Sequence, residues 1–481
     1  MNAVNSLKPT EVFKYFQEIC KIPHGSANTK AISDYCVSFA KSNGYKYVQD
    51  RADNVIIYAD GTKGYEKSET VIIQGHLDMV CDKTSDCEKD MTIQPITLCT
   101  DGEFVFAKNT TLGGDDGIAV AYMLALLADK SIPHPPIEAL FTADEEIGML
   151  GATALDSTLL RGTRLINIDS EEEGILTVSC AGGVRAICSI GFNTEKNKGD
   201  FYKITISGLT GGHSGVDINK GRLNANKLLG RMLNYLHQEV NFKLCSVSGG
   251  KKDNTIPNEA TATICINSDD TNRFYTAVKH FSNMVVKEFH ITEPHLKISC
   301  SKTINTGKCM DYHSTQKILF CLLQIPNGVQ TMSPDIPDMV QTSLNLGILN
   351  TESNRVTLSF LLRSNAATGK QALVQKLQSF INYLGGYIDF RADYPAWEYR
   401  ADSRLRDIMI GTYYELYGNE PVVTAIHAGL ECGILAGKIK NMDGVSFGPN
   451  LYNVHTPKEK MEISSVERCW EYFKEVLKNL R

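Results

Sequence analysis

Five acidic or imidazole side chains stand at points where buried segments should end. His76 and Asp78 follow the apolar run at residues 70–74 (TVIIQ), Glu145 and Glu146 follow residues 137–142 (IEALFT), and Asp169 follows residues 165–168 (LINI). Residues i and i+2 on an extended segment point the same way, so one of His76 and Asp78 can bind a metal while the other steadies it. In open α/β sheets, ligands gather outside the carboxyl ends of the strands. Three strand ends carrying acid or imidazole therefore suggest a metal-assisted hydrolytic centre. Of two neighbouring carboxylates such as Glu145 and Glu146, one can be neutralised by metal while the other accepts a proton from water.

Asp115 lies in Thr111-Leu-Gly-Gly-Asp-Asp-Gly117, ahead of an apolar helical run at 117–127. An acid at a helix start can simply cap free N–H groups, and that reading stands open for Asp116. For Asp115 the preceding glycines suggest close backbone approach to something bound, and a ligand role is expected. Glu171, Glu172 and Glu173 are read as exposed, leaving Asp169 as the ligand of its cluster. Histidine and carboxylate donors without cysteine suit zinc, manganese or cobalt, and two ions would need about five protein groups with one carboxylate shared.

Competing catalytic architectures are poorly signalled. The one G-x-S-x-G match, Gly444-Val-Ser-Phe-Gly448, falls in an expected buried strand rather than at a strand-to-helix turn, and Gly211-Gly-His-Ser-Gly215 has the wrong order for such an elbow. A phosphate-binding G-x-x-x-x-G-K-[ST] loop and an H-E-x-x-H helix are also missing.

The elements that must position these residues alternate short buried strands with helices over the first third, which predicts an α/β layer structure. From about residue 184 the texture changes to alternating stretches at 202–206, 260–266 and 356–362, interleaved with an amphipathic pattern at 223–236. That predicts a separate α+β unit with an antiparallel sheet. After Pro395, helix (404–417) and buried strand (444–447) return. The expected organisation is a catalytic domain in two parts, 1–184 and 396–481, with a mixed sheet flanked by helices, interrupted by an inserted α+β domain at 185–395.

With 481 residues, 42% hydrophobic and 22% charged, the chain is long enough for two or three compact units and has no sign of global disorder. A net charge of −6 and the absence of a long basic run give nucleic-acid binding no electrostatic source. The first fifteen residues mix Asn5, Lys8, Glu11 and Lys14 with single apolar residues, unlike a secretory signal. The 14 cysteines include no C-x-x-C pair and suit a reducing compartment. The expectation is a cytoplasmic protein with no membrane or nucleic-acid partner.

The ordered segments GHLDMV, LGGDDG and ADEEIG resemble the metallopeptidase clan that contains carboxypeptidases, aminoacylases and acetylornithine deacetylase. Gly208-Leu-Thr-Gly-Gly-His-Ser-Gly215, Asn224-Ala-Asn-Lys-Leu-Leu229, Ile426-His-Ala-Gly-Leu-Glu-Cys-Gly433 and Gly448-Pro-Asn-Leu-Tyr-Asn-Val-His455 narrow the resemblance to the aminoacyl-histidine dipeptidases. It runs over nearly the whole chain, and it implies that the inserted domain at 185–395 is a lid or dimerisation domain. It implies two divalent ions, zinc first and cobalt or manganese as alternatives. His76 and Asp169 would hold one ion, Glu146 and His455 the other, and Asp115 would bridge them. Asp78 would orient His76 through its second ring nitrogen, Glu145 would act as general base toward a metal-bridging water, and His213 would steady the carbonyl oxygen.

For the substrate termini, Arg363 is the candidate for the carboxylate and Glu431 for the free amine. The implied reaction is hydrolysis of unblocked dipeptides, Xaa-His or broader, by a homodimer. An N-acyl amino acid deacylase or carboxypeptidase would use the same ligands without an amine pocket, and a non-catalytic metal- or peptide-binding protein is the alternative of another class. Two departures from the family pattern are Asp116, where asparagine is expected, and residues 450–454.

Overall fold

A computed structural model describes residues 6–304 and 307–481, so the first five residues of the expected 1–184 segment, Asn5 included, lie outside the described residues. The chain divides into two compact units. Ala181–Glu398 together with Ile426–Gly429 forms the second, and the rest of the described chain forms the first.

The divides at 180/181 and 398/399 differ by a few residues from the expected 184/185 and 395/396. The strand Gly182–Gly191 already belongs to the second unit's sheet, which moves the first divide toward the N-terminus. The short segment Ile426–Gly429 was not expected there. Its main chain accepts the Ala181 N–H at Ile426 (3.2 Å) and Ala428 (3.0 Å), which ties it to the second unit.

The first unit is built on an eight-stranded sheet. In spatial order its strands are Lys46–Gln49, Val55–Ala59, Ile137–Thr142, Val71–His76, Arg164–Asn167, Asp443–Ser446, Ile175–Cys180 and Val422–Ile426. The middle four run parallel, with His76 opposite Thr142, Gln74 opposite Asn167, and Ser446 also opposite Asn167. Every residue of these four strands is buried, as parallel strands covered on both faces must be. Their apolar runs lack alternation for the same reason. In-register parallel pairing brings their carboxyl ends to one edge, where His76, Thr142, Asn167 and Ser446 terminate.

The helix Gly114–Ala128 is buried along almost its whole length, as an apolar run with no polar face requires. Its Tyr122 stacks on Trp470 of the helix Ile463–Asn479, with ring centroids 5.6 Å apart. The first residues of Gly114–Ala128 are irregular: Asp115 and Asp116 have non-helical backbone angles, and the preceding residue, Gly113, has no side chain with which to cap the start. The cap reading of Asp116 is therefore set aside.

The second unit holds a nine-stranded sheet paired antiparallel throughout, which includes Asp200–Ser207, Ala260–Ile266, Val340–Thr351, Arg355–Ser364 and Gly182–Gly191. The helix Ala225–Glu239 packs its apolar stripe on this sheet, and Asn224 caps it by accepting the N–H groups of Asn226 (3.0 Å) and Lys227 (3.2 Å).

Candidate active site

His76 closes its strand with the imidazole 1% exposed. Its Nδ1 lies 2.9 Å from the main-chain oxygen of Asp78 and 3.6 Å from the Asp78 carboxylate, so the carbonyl, not the side chain, is the acceptor that fixes the ring. A proton on Nδ1 leaves Nε2 as the metal-facing atom. That atom is 3.1 Å from Asp115 Oδ1 and 3.7 Å from Asp169 Oδ1. The Asp78 carboxylate accepts the Glu145 N–H (2.9 Å), the Glu146 N–H (3.3 Å) and the Ser26 hydroxyl (2.8 Å). It therefore holds the turn that carries both glutamates.

The other oxygen of Asp115, Oδ2, is 3.1 Å from His455 Nε2, and the same nitrogen is 2.6 Å from Glu146 Oε1. One carboxylate thus faces two imidazoles, one with each oxygen. His455 has φ = +62° and follows a loop that begins at Gly448. A side chain at position 448 would lie 1.7 Å from the Ser170 carbonyl, beside Asp169, so only glycine allows that approach. Ligand-forming groups within 4.8 Å of one another comprise His76, Asp116 and Asp169; His76, Glu145 and Glu146; and Asp115, Glu146 and His455. Asp116 is the member the sequence left open. Its Oδ2 accepts the His76 N–H at 3.0 Å, which pins the strand end.

The electrostatics are those of surplus buried negative charge. Burial, and then neighbouring carboxylates, push Asp169 up to about 6. Burial, with Asp169 next, holds Asp116 and Glu145 well above the usual carboxylate range. Hydrogen bonds to Asp115 and Glu146 raise His455 to about 11. Two imidazoles cannot balance so many acids, and divalent cations with oxygen and nitrogen preference fit the donor set.

Glu431 begins the helix Glu431–Lys438 and is fully buried. Its Oε2 accepts from Gln74 Nε2 (2.7 Å) and the Thr142 hydroxyl (2.5 Å), while Oε1 has no partner. Burial, opposed by His76, raises it to about 7. It braces two of the strand ends and presents no exposed face to an amine.

Within the second unit, His213, Arg363 and His427 come together. The N–H groups of Gly215 and Val216 both point at His213 Nδ1 (3.3 Å each), so the proton sits on Nε2, 3.5 Å from Arg363 Nη2. Two donors therefore face one region. Gly212, at φ = +144°, makes the turn before His213, and a Cβ there would strike Arg222. Arg363, near the end of the strand Arg355–Ser364, is 4% exposed. It touches the Tyr394 hydroxyl at 3.3 Å, its Nε is unpartnered, and among the described residues no carboxylate lies in ion-pair range of it.

His427 was missed by sequence reasoning. Its Nε2 accepts from Ser343 (2.8 Å) and its Nδ1 donates to Asn365 (3.0 Å). Burial, then Arg363 and His213, drive it down to about 3, so it stays neutral. The only sequence signal was its place in the Ile426–Gly433 motif.

The model of peptidase family M20/M25/M40 matches residues 72–479, a span that holds every strand end and loop of the centre. The chain belongs to this family. As an M20 peptidase it is 36% identical to the cytosol non-specific dipeptidase of Escherichia coli (strain K12) over 482 residues, covering 100% of this chain and 99% of that one. It also matches the crystal structure of aminoacylhistidine dipeptidase from Vibrio alginolyticus with a TM-score of 0.94 and 37% identity, over 99% and 98% of the two chains. The aminopeptidase PepT structure from Bacillus cereus (TM-score 0.58, 15% identity, 98% and 99% covered) shares the fold alone. The mixed α/β architecture expected from the sequence is that of this family's solved members.

Proposed function

We propose that this M20 peptidase is a two-metal dipeptidase acting on unblocked dipeptides, Xaa-His among them. The observation that carries the reading is the Asp115 carboxylate, which faces His76 with one oxygen and His455 with the other, both at 3.1 Å. His76 and Asp169 would hold one ion, Glu146 and His455 the second, and Asp115 both. Zinc is the first choice, with cobalt or manganese as alternatives. When bound, such ions lower the pKa of water and polarise a carbonyl.

Glu145, on the turn held by Asp78, takes the proton from water as the peptide carbonyl is attacked and returns it to the leaving amine. His213, with its proton on Nε2, donates to the carbonyl oxygen as charge builds there. Arg363 holds the substrate carboxylate, which a buried guanidinium without an acidic partner suits. Asp78 and Glu431 are positioning groups that fix the turn and the strand ends, and recognition of the substrate amine falls to the acid-rich centre. No helix among the described residues is long and apolar enough to cross a membrane, and a cytoplasmic homodimer is the proposed working form.

Comparing turnover of a free dipeptide with that of its N-acetylated form, after metal loading, tests the substrate class. Preference for the free dipeptide is expected. Preference for the acetylated form would instead support a deacylase or carboxypeptidase with the same ligands.

A further inference from the structure

Four consecutive main-chain N–H groups converge on one carboxylate in the first unit. Glu459 Oε2 accepts from Leu112 (2.7 Å) and Gly113 (3.1 Å), and Oε1 accepts from Gly114 (2.8 Å) and Asp115 (3.4 Å). The side chain is 3% exposed. A helix start leaves its first N–H groups without partners, and here Gly113 precedes the helix with φ = +71° and no side-chain cap. Asp115 and Asp116 have non-helical backbone angles, although the Gly117 N–H still reaches the Gly113 carbonyl at 3.1 Å. The N–H groups that precede this bond are held by a residue more than 340 positions away.

Glu459 sits four residues after His455, and the connecting turn is closed by the Glu459 N–H to Thr456 carbonyl bond (3.0 Å) and by the Thr456 hydroxyl to the Asn453 carbonyl (2.7 Å). The same short segment therefore sets His455 against the Asp115 carboxylate and clamps the Asp115 main chain from behind. A buried carboxylate without a cation is costly unless several donors satisfy it. Four backbone donors do so, and they are the donors whose position decides where the Asp115 side chain points.

We propose that Glu459 is a positioning residue of the metal centre: its carboxylate fixes the Leu112–Asp115 turn, so that Asp115 presents one oxygen to His76 and the other to His455. The inference rests on Asp115 and His455 being metal ligands. It also couples the two metal subsites, since disturbing the 455–459 segment disturbs a ligand of one ion and the shared carboxylate together.

Glu459→Gln keeps the shape but turns one acceptor oxygen into an NH₂ donor facing N–H groups. The test titrates zinc into the metal-free full-length chain by calorimetry, alongside the visible spectrum of the cobalt-loaded protein and the thermal melt of the metal-free form. Expected for the variant are a loss in metal affinity of about 10- to 100-fold, the range for groups that orient ligands, an altered cobalt spectrum, and a fall in kcat larger than any change in KM. A merely structural role would lower the melting temperature and leave the affinity of the folded protein unchanged, and that result overturns the inference. If the unsubstituted chain binds no zinc, it is the ligand assignment that fails. Should the variant not fold, amide hydrogen exchange of the unsubstituted metal-free chain decides: slow exchange at residues 112–115 is required, and exchange at open-loop rates overturns the proposal.

Discussion

The first unit gathers carboxylates (Asp115, Asp116, Glu145, Glu146 and Asp169) around two imidazoles. The second gathers two imidazoles around a buried guanidinium. The first arrangement is short of positive charge and the second of negative charge, and each asks for a different ligand: cations at the strand ends, an anionic group beside Arg363. Under the proposed function, bond-breaking chemistry would belong to the first unit and recognition of a substrate carboxylate to the second, and the two clusters are built by different means. Parallel strand register makes the acid centre. The basic cluster comes from a glycine turn, a strand end and the four-residue segment Ile426–Gly429, which the chain supplies only after its main pass through the second unit.

The comparison can be broken by removing each unit's ligand or its key group. Stripping divalent metal with a chelator should abolish turnover, and zinc, manganese or cobalt should restore it. Turnover that survives in metal-free protein would remove the reason for the acid cluster. Glu145→Gln should lower kcat by about 10²- to 10⁴-fold, the usual share of a general base, with metal content by atomic absorption unchanged. Unchanged turnover would end its assignment as the base.

In the second unit the expected losses are smaller and of another kind. Arg363→Met should reduce kcat/KM by about 10- to 150-fold, the worth of a charged hydrogen-bonded contact, carried mainly by KM. A loss confined to kcat would place Arg363 in the chemistry instead.

The smallest effect concerns pH. His427 falls from 6.5 to about 3 on folding because burial, Arg363 and His213 disfavour its charged form. The unfolded chain then binds more protons below pH 6.5, so His427 contributes stability that is complete above that value and is lost as pH falls toward 3. His427→Gln should flatten the decline in urea-unfolding free energy between pH 6.5 and 4 by at most about 1.4 kcal/mol per pH unit. Identical slopes for the two proteins would mean that the imidazole is not held neutral.

Much of this architecture was legible because it is local. The strands Ile137–Thr142 and Ala260–Ile266 and the helix Arg404–Tyr417 fall where the apolar runs put them. His76, Asp78, Glu145, Glu146 and Asp169 could be singled out because a side chain just beyond a buried parallel strand has few places to go other than the sheet's carboxyl edge. His455 could not be found that way. It sits in a positive-φ turn 340 residues from the carboxylate it faces, and only the motif resemblance reached it.

What the sequence determined by itself was the inventory of acids and imidazoles, the strands that end beside them, and the change of texture between the two units. These follow from hydrophobic patterning within a few residues, which needs no knowledge of distant partners. Tertiary structure alone decided the rest. The Asp78 carbonyl, rather than its carboxylate, fixes His76, while that carboxylate holds the Glu145 turn. Asp116 pins a strand instead of capping a helix, Arg363 is buried without an acid, and Glu459 clamps the main chain of Asp115. Each is a hydrogen bond, or a missing one, between segments far apart in the chain. Its partner is set by how loops cross at the sheet edge, and no spacing within a single segment encodes that crossing.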